Sequence, residues 1–217
     1  NDDEGRLILD GGELTIRFGI RRGYGSASAG GTVVFNDGRI SSSNAEGRLY
    51  GYEGAPLRIE LAGTGTHEFQ IVSTGPVTVE STTHIADKVG EQGTLLKTGA
   101  GCMMIQSSNS FSGGITIDAG TLQLQADGAA GSGDITVGDA ALSLSEGAEN
   151  DYIRDSASLV LNSSRSGLWL GYAGTDTVRA VSLDGGSSWL SSGTYTAAQL
   201  SEYGEGFYYG QGTLRVE

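Results

Sequence analysis

The feature that most constrains this chain is a repeat with an offset of 20 residues. Gly113–Gly128 (GGITIDAGTLQLQADG) lies over Gly133–Ala148 (GDITVGDAALSLSEGA). Ile115 and Ile117 fall on Ile135 and Val137, and Leu122 and Leu124 on Leu142 and Leu144. A second pair, Ala55–Leu61 (APLRIEL) over Gly75–Ser81 (GPVTVES), has the same offset, with Leu57 and Ile59 on Val77 and Val79 and Pro56 on Pro76. Units this short hold apolar-x-apolar strands, an alternation that buries one face. Turn clusters such as GSGD at Gly131–Asp134 and NDG at Asn36–Gly38 separate them. One unit cannot bury its inner face alone, whereas stacked units share a continuous core. The chain therefore reads as all-β: a single parallel β-helix (β-solenoid) of about 20 residues per coil. At a rise of about 4.8 Å per coil, ten or eleven coils would make a rod roughly 50 Å long.

Composition agrees with tight turns between short strands. Glycine supplies 37 of 217 residues, more than twice its usual share of about 7%. It has no three-residue period and Pro numbers only 2, which excludes collagen, and a 37% hydrophobic share excludes an acidic disordered tail. The formal charge is −13, a field that repels phosphate backbones and anionic headgroups. Nucleic acid is thereby excluded as a partner, and membrane contact is expected only through segments outside this chain. No apolar run approaches the roughly 20 residues of a bilayer span, and no signal peptide opens the chain at Asn1. An exported form would have had its signal removed or carried elsewhere. Cys102 stands alone, so neither an intrachain disulfide nor a Cys-based metal site is expected. Thr196–Tyr203 (TAAQLSEY) is the one stretch with helical spacing.

Gly93–Leu124 (GTLLKTGAGCMMIQSSNSFSGGITIDAGTLQL) resembles the autotransporter-associated β-strand repeat. Lys97, Gly99, Gly101, Met103, Ile105, Asn109, Phe111, Gly113, Gly114, Thr116, Ile117, Gly120, Thr121 and Leu122 occupy the matching places. Met103 and Ile105 replace leucines of that pattern, and Phe111 a tyrosine. Val181–Leu200 followed by Gly210–Glu217 is similar to the closing unit of repeat-rich surface proteins of the same group. The resemblance implies a right-handed β-helix, secreted or displayed on a bacterial surface, acting as adhesin, stalk or carrier. It sets residues 1–92 as less regular N-terminal coils, 93–162 as family-like coils, and 163–217 as C-terminal coils with a short non-solenoid, aromatic-rich cap, all within one domain spanning 1–217. It also turns Met103 and Ile105 inward and Cys102 and Met104 outward.

Candidates for chemistry are few, and no cofactor is expected. Glu60 and Glu80 share the repeat offset and would stack one coil apart on one outer face. Such a pair would raise one another's pKa or share a cation, as a carbohydrate-active β-helix (polysaccharide lyase or glycosidase type) requires, or else would be two solvated residues. GSGDITVGD at Gly131–Asp139 holds a single poor copy of a calcium-binding nonapeptide, more simply ordinary turn chemistry. His67, His84 and Cys102 read as packed or strand-edge residues. Arg17, Arg21 and Arg22 form a basic knot, either solvated strand ends or an anion site.

The functional hint lies in the aromatic residues. Eight of the 16 fall between Trp169 and Tyr209, whereas Val72–Asp151 contains only Phe111. Such rings plug the open end of a solenoid, offer platforms for sugars and protein partners, or do both. Trp169, Tyr172, Trp189, Tyr195, Tyr208 and Tyr209 are the candidate ligand-binding residues. Tyr24, Tyr50 and Tyr52 would act in the same way near the N-terminal end. The expected function is a non-enzymatic adhesive or structural module for glycans or surface proteins, with self-association into a fibre as a third reading.

Overall fold

The computed structural model describes residues 5–21, 31–42, 46–145 and 150–217. Strands stack in parallel on three faces, and the chain visits the faces in turn. The first face begins with the N-terminal part of Gly5–Ile16, followed by that of Gly31–Ser42, then Leu57–Leu61 and Thr83–Asp87; Gly5, Gly31, Leu57 and Thr83 stand in register. The second face runs from the C-terminal parts of the two long strands through His67–Ile71, Leu95–Thr98, the first halves of Ile115–Leu124 and Ile135–Leu144, Ser158–Leu161 and Ala180–Ser182. The third stacks Gly19–Arg21, Gly47–Tyr50, Val77–Val79, Cys102–Ile105, the second halves of Ile115–Leu124 and Ile135–Leu144, Gly167–Leu170 and Phe207–Gly210.

Eight levels thus stack among the described residues, about 34 Å of rise at 4.8 Å per step. The expected ten or eleven coils are too many because coil length varies. A step of 20 holds in the centre, where Ile115 faces Leu95 and Ile135. Toward the N-terminus the steps lengthen to 26 (Leu57 to Thr83) and 30 (Gly47 to Val77), and at the other end to 40 (Gly167 to Phe207). Leu57 and Val77 consequently belong to one coil, on different faces. Each follows a proline whose carbonyl accepts from a glycine amide one coil earlier: Pro56 from Gly31 at 3.3 Å, and Pro76 from Gly47 at 3.1 Å. The repeated motif marks two strand entries within one coil.

Alternation does the rest. Leu57–Leu61 and His67–Ile71 both bury every second residue, and the inward residues form columns. Leu49, Val79, Ile105, Leu124, Leu144 and Leu170 make one, each fully buried. Each such side chain contributes about 1.5–3 kcal/mol relative to exposure. The corner between the second and third faces in Ile115–Leu124 is turned by a left-handed residue: Gly120 has φ of 70° and lies so close to the coil below that a Cβ would meet the Gly101 carbonyl oxygen at 2.4 Å.

The C-terminal end departs from the solenoid, as the aromatic-rich segment leads one to expect. Gly193–Thr196 pairs antiparallel with Thr213–Val216, which also pairs parallel with Thr175–Val178. A short helix, Ala197–Leu200, starts at Thr196, whose hydroxyl accepts from the Gln199 amide while the Gln199 side chain accepts from the Thr196 amide. Among the described residues no helix is long and apolar enough to cross a membrane.

Candidate functional site

The repeat segment builds coil-to-coil fasteners. Met103, Ile105 and Phe111 are fully buried, while Cys102 and Met104 face outward and are half-covered. Burial pushes the Cys102 thiol above its ordinary pKa, with Lys97 pulling the other way. Asn109 is buried and spans three coils: its Oδ1 accepts from the Ile85 amide at 2.8 Å, and its Nδ2 donates to the Ala129 carbonyl at 2.8 Å. Lys97 stands in an otherwise apolar column between Phe69 and Ile117, fully buried. Its ammonium donates to the carbonyls of Thr98 and Gly99 at 2.9 Å and of Ala119 at 3.0 Å, closing the corner that Gly120 turns. Burial pushes its pKa down to about 8.

The acids singled out from the sequence do not meet. Glu60 lies on the first face, opposite Val34 and Ala86, whereas Glu80 follows the third-face strand and donates its amide to the Leu49 carbonyl. Glu60 pairs with Arg58 at 2.9 Å and Glu80 with Arg48 at 2.6 Å. Their shared offset is a distance between faces, not between coils. Asp134 and Asp139 of the GSGDITVGD stretch pair with Arg179 and Arg165. Among the described residues no group of three or more His, Cys, Asp or Glu converges to hold a metal ion. His67 is buried with its ring nitrogens 2.8 Å from the Thr94 carbonyl and 2.9 Å from the Ala62 carbonyl. His84 likewise lies 2.7 Å from the Ser108 carbonyl and 2.9 Å from Ser110 Oγ. The Arg17 guanidinium sits over the Phe18 ring at 5.7 Å; Arg22 and Tyr24 lie outside the described residues.

The six aromatic candidates separate into three places. Tyr172 and Tyr208 point inward, 6% and 7% exposed. Tyr172 packs against Tyr152 at 5.2 Å and donates to the Thr213 carbonyl at 2.8 Å, so both tyrosines seal the core instead of offering a surface. Burial raises both phenols above the ordinary range. Trp189 and Tyr195 lie in the cap, where Tyr195 meets Tyr203 edge-to-face at 5.8 Å.

Trp169 and Tyr209 form the third place. They stand in register on the outer side of the third face, one coil apart, and are 57% and 58% exposed. Phe207, opposite Gly167 in the same strand pair, is 53% exposed and was not among the candidates. The signal was in the sequence: alternation along FYYG puts Phe207 and Tyr209 on one side and Tyr208 on the other. Below these rings the outer positions turn small, with Ser143 under Trp169 and Ala141 under Gly167. The step in side-chain size opens a groove of about 760 Å³, with Gln123 and Ser145 at its lower end and Arg165, paired with Asp139 at 3.0 Å, on its rim. Gly171 leaves room for the indole, since a Cβ there would come 3.0 Å from the Trp169 nitrogen.

Comparison with known proteins accords with this architecture. Residues 95–124, which carry the fasteners Lys97, Asn109 and Phe111, match the family model described as Passenger-associated-transport-repeat. The chain is 30% identical over 122 residues to the adhesin BmaC autotransporter of Brucella suis biovar 1 (strain 1330). That match covers 54% of this chain and 3% of the adhesin. No solved structure matches. The chain carries an autotransporter passenger repeat, set in the central coils of a parallel β-solenoid.

Proposed function

We propose that this chain is an exported passenger module of the adhesin type, and that it holds a glycan in the groove beside Trp169, Phe207 and Tyr209. The observation that carries the reading is the in-register pair Trp169 and Tyr209, both more than half exposed beside a floor of small residues. The electron-rich face of an indole or phenol ring suits the C–H groups of a pyranose. Serine and glutamine side chains one and two coils below, including Gln123, whose Nε2 donates to Ser145 Oγ at 3.0 Å, supply hydrogen-bonding partners for sugar hydroxyls along the same groove. The similarity to an adhesin supports display outside the cell. Binding needs no reaction, and the outward carboxylates Glu60 and Glu80 are separated and ion-paired.

The test is a glycan array probed with the purified chain, followed by Trp169→Ala and Tyr209→Ala. Each substitution is expected to weaken binding at least tenfold, about 1.4 kcal/mol, with an unchanged circular dichroism spectrum. Absence of any glycan ligand, or full binding by the double variant, would overturn the reading.

A further inference from the structure

The cap carries a second aromatic cavity, independent of the groove on the third face. It has a volume of about 180 Å³ and lies between the end of the Ala180–Ser182 strand and the Gly193–Thr196 strand. Trp189, Tyr195 and Tyr203 line it together with Asp184, Ser188 and Leu190, and no Lys or Arg lines it. The walls are set: Tyr195 donates its hydroxyl to the Ser191 carbonyl at 2.8 Å and stands perpendicular to Tyr203 at an interplanar angle of 89°. Tyr203 is 61% exposed and Trp189 50%.

Asp184 makes the cavity anionic. The Ser188 hydroxyl donates to its Oδ2 at 2.5 Å, and the Ser188 amide and Ser182 hydroxyl to its Oδ1 at 2.8 Å. Those donors, Ser188 foremost, hold its carboxyl down to about 2, so it is ionised at every working pH. They also occupy three of its roughly four acceptor sites. A ligand that must donate several hydrogen bonds therefore gains less from this carboxylate than one that brings charge alone. Three aromatic rings around a carboxylate are complementary to such a cation, because the ring faces are negative and the desolvation of a methylated ammonium is cheap. Drug-sized ligands take sites of roughly 300–1,000 Å³, which this cavity does not reach.

We propose that the cavity of Trp189, Tyr195, Tyr203 and Asp184 binds a small quaternary ammonium group of the choline type. The net charge of −13 raises the local concentration of any such cation.

The experiment titrates the full chain with choline chloride, following the N-methyl proton resonance by NMR and the heat of binding by calorimetry. The N-methyl signal is expected to move upfield and saturate, because the methyl groups sit over ring faces. The neutral isostere 3,3-dimethylbutan-1-ol is expected to bind at least tenfold more weakly than choline. Tyr203→Ala and Asp184→Asn are each expected to lower choline affinity at least fivefold; Tyr203 is the cleaner test, since Asp184 also orders its turn. Equal binding of choline and the isostere, no saturable shift, or unchanged affinity in Tyr203→Ala would overturn the proposal. Phosphocholine binding, with or without binding to phosphatidylcholine vesicles, supports it and separates a soluble ligand from a membrane-borne headgroup. Because Trp169 and Tyr209 take no part, failure here leaves the glycan groove untouched, and the converse holds.

Discussion

Replacing Asp176 with asparagine probes a poorly compensated buried carboxyl. Asp176 lies in Thr175–Val178 beneath the cap, 1% exposed, and neither carboxyl oxygen makes a hydrogen bond of good geometry. Burial raises its pKa to about 8, the carboxylates of Asp151 and Asp155 push the same way, and the amides of Ile153 and Thr177 pull back. In the unfolded chain an aspartate titrates near pH 3.9. Between these values the folded protein keeps a proton that the unfolded chain releases, so stability is greatest below about pH 4 and falls as pH rises toward 8. Each pH unit in that window costs up to 1.36 kcal/mol, hence a ceiling of about 2.7 kcal/mol between pH 5 and pH 7. Asparagine preserves the shape and removes the titration. Urea midpoints of both proteins, measured at pH 5 and pH 7, should therefore diverge, with the asparagine variant gaining on the native chain at the higher pH. Intrinsic fluorescence is a suitable readout because Trp169 and Trp189 flank this segment. Groups common to both proteins, Asp151 among them, cancel in the difference. A difference that stays constant across the window would mean that Asp176 is ionised in the fold, and the burial argument would fail.

Two further substitutions test the coil corner at Lys97 and Gly120, and a third serves as control. Lys97→Met retains the volume but leaves the carbonyls of Thr98, Gly99 and Ala119 without their buried donor, and an expected loss of about 2–3 kcal/mol is measurable by urea denaturation; a variant as stable as the native chain would refute the corner-closing role. Gly120→Ala combines a φ of 70° with a Cβ held 2.4 Å from the Gly101 carbonyl oxygen, and should cost about 2–3 kcal/mol. Gly186→Ala, with φ of 89° but nothing within 4 Å, carries the backbone strain alone and should cost about 1 kcal/mol. Equal melting temperatures for the two alanine variants would show that the coil below Gly120 yields freely.

The central coils were legible because they keep one length. There Ile115, Ile135 and their partners recur at one spacing in sequence and in space. In the N-terminal coils, with steps of 26 to 30 residues, a spacing of 20 is the path from one face to another, which is how Glu60 and Glu80 came to look like neighbours. The alternation of Phe207, Tyr208 and Tyr209 was equally legible and separates wall from core without coordinates. Lys97 and Asp176 were not. Polar residues are ordinarily read as exposed. What overrides that prior is a carbonyl-lined corner in one case and a covering cap in the other, and both are assembled from residues distant in sequence.

Both proposed sites lie where the repeat breaks down. On the 20-residue coils the chain carries no insertion, and the outer face between Gly120 and Ser145 carries short side chains such as Thr121, Ala141 and Ser143. The step from Gly167 to Phe207 is twice as long. Its extra residues form the loop of Asp184, Trp189 and Tyr203, the antiparallel strand and the helix, and they return the chain to the third face at Phe207 and Tyr209. The cavity around Asp184 is therefore made by the insertion itself. The groove is made by the size step where the inserted coil rejoins the regular ones. The regular coils supply a rod with continuous backbone pairing, on which the inserted coil places both proposed sites.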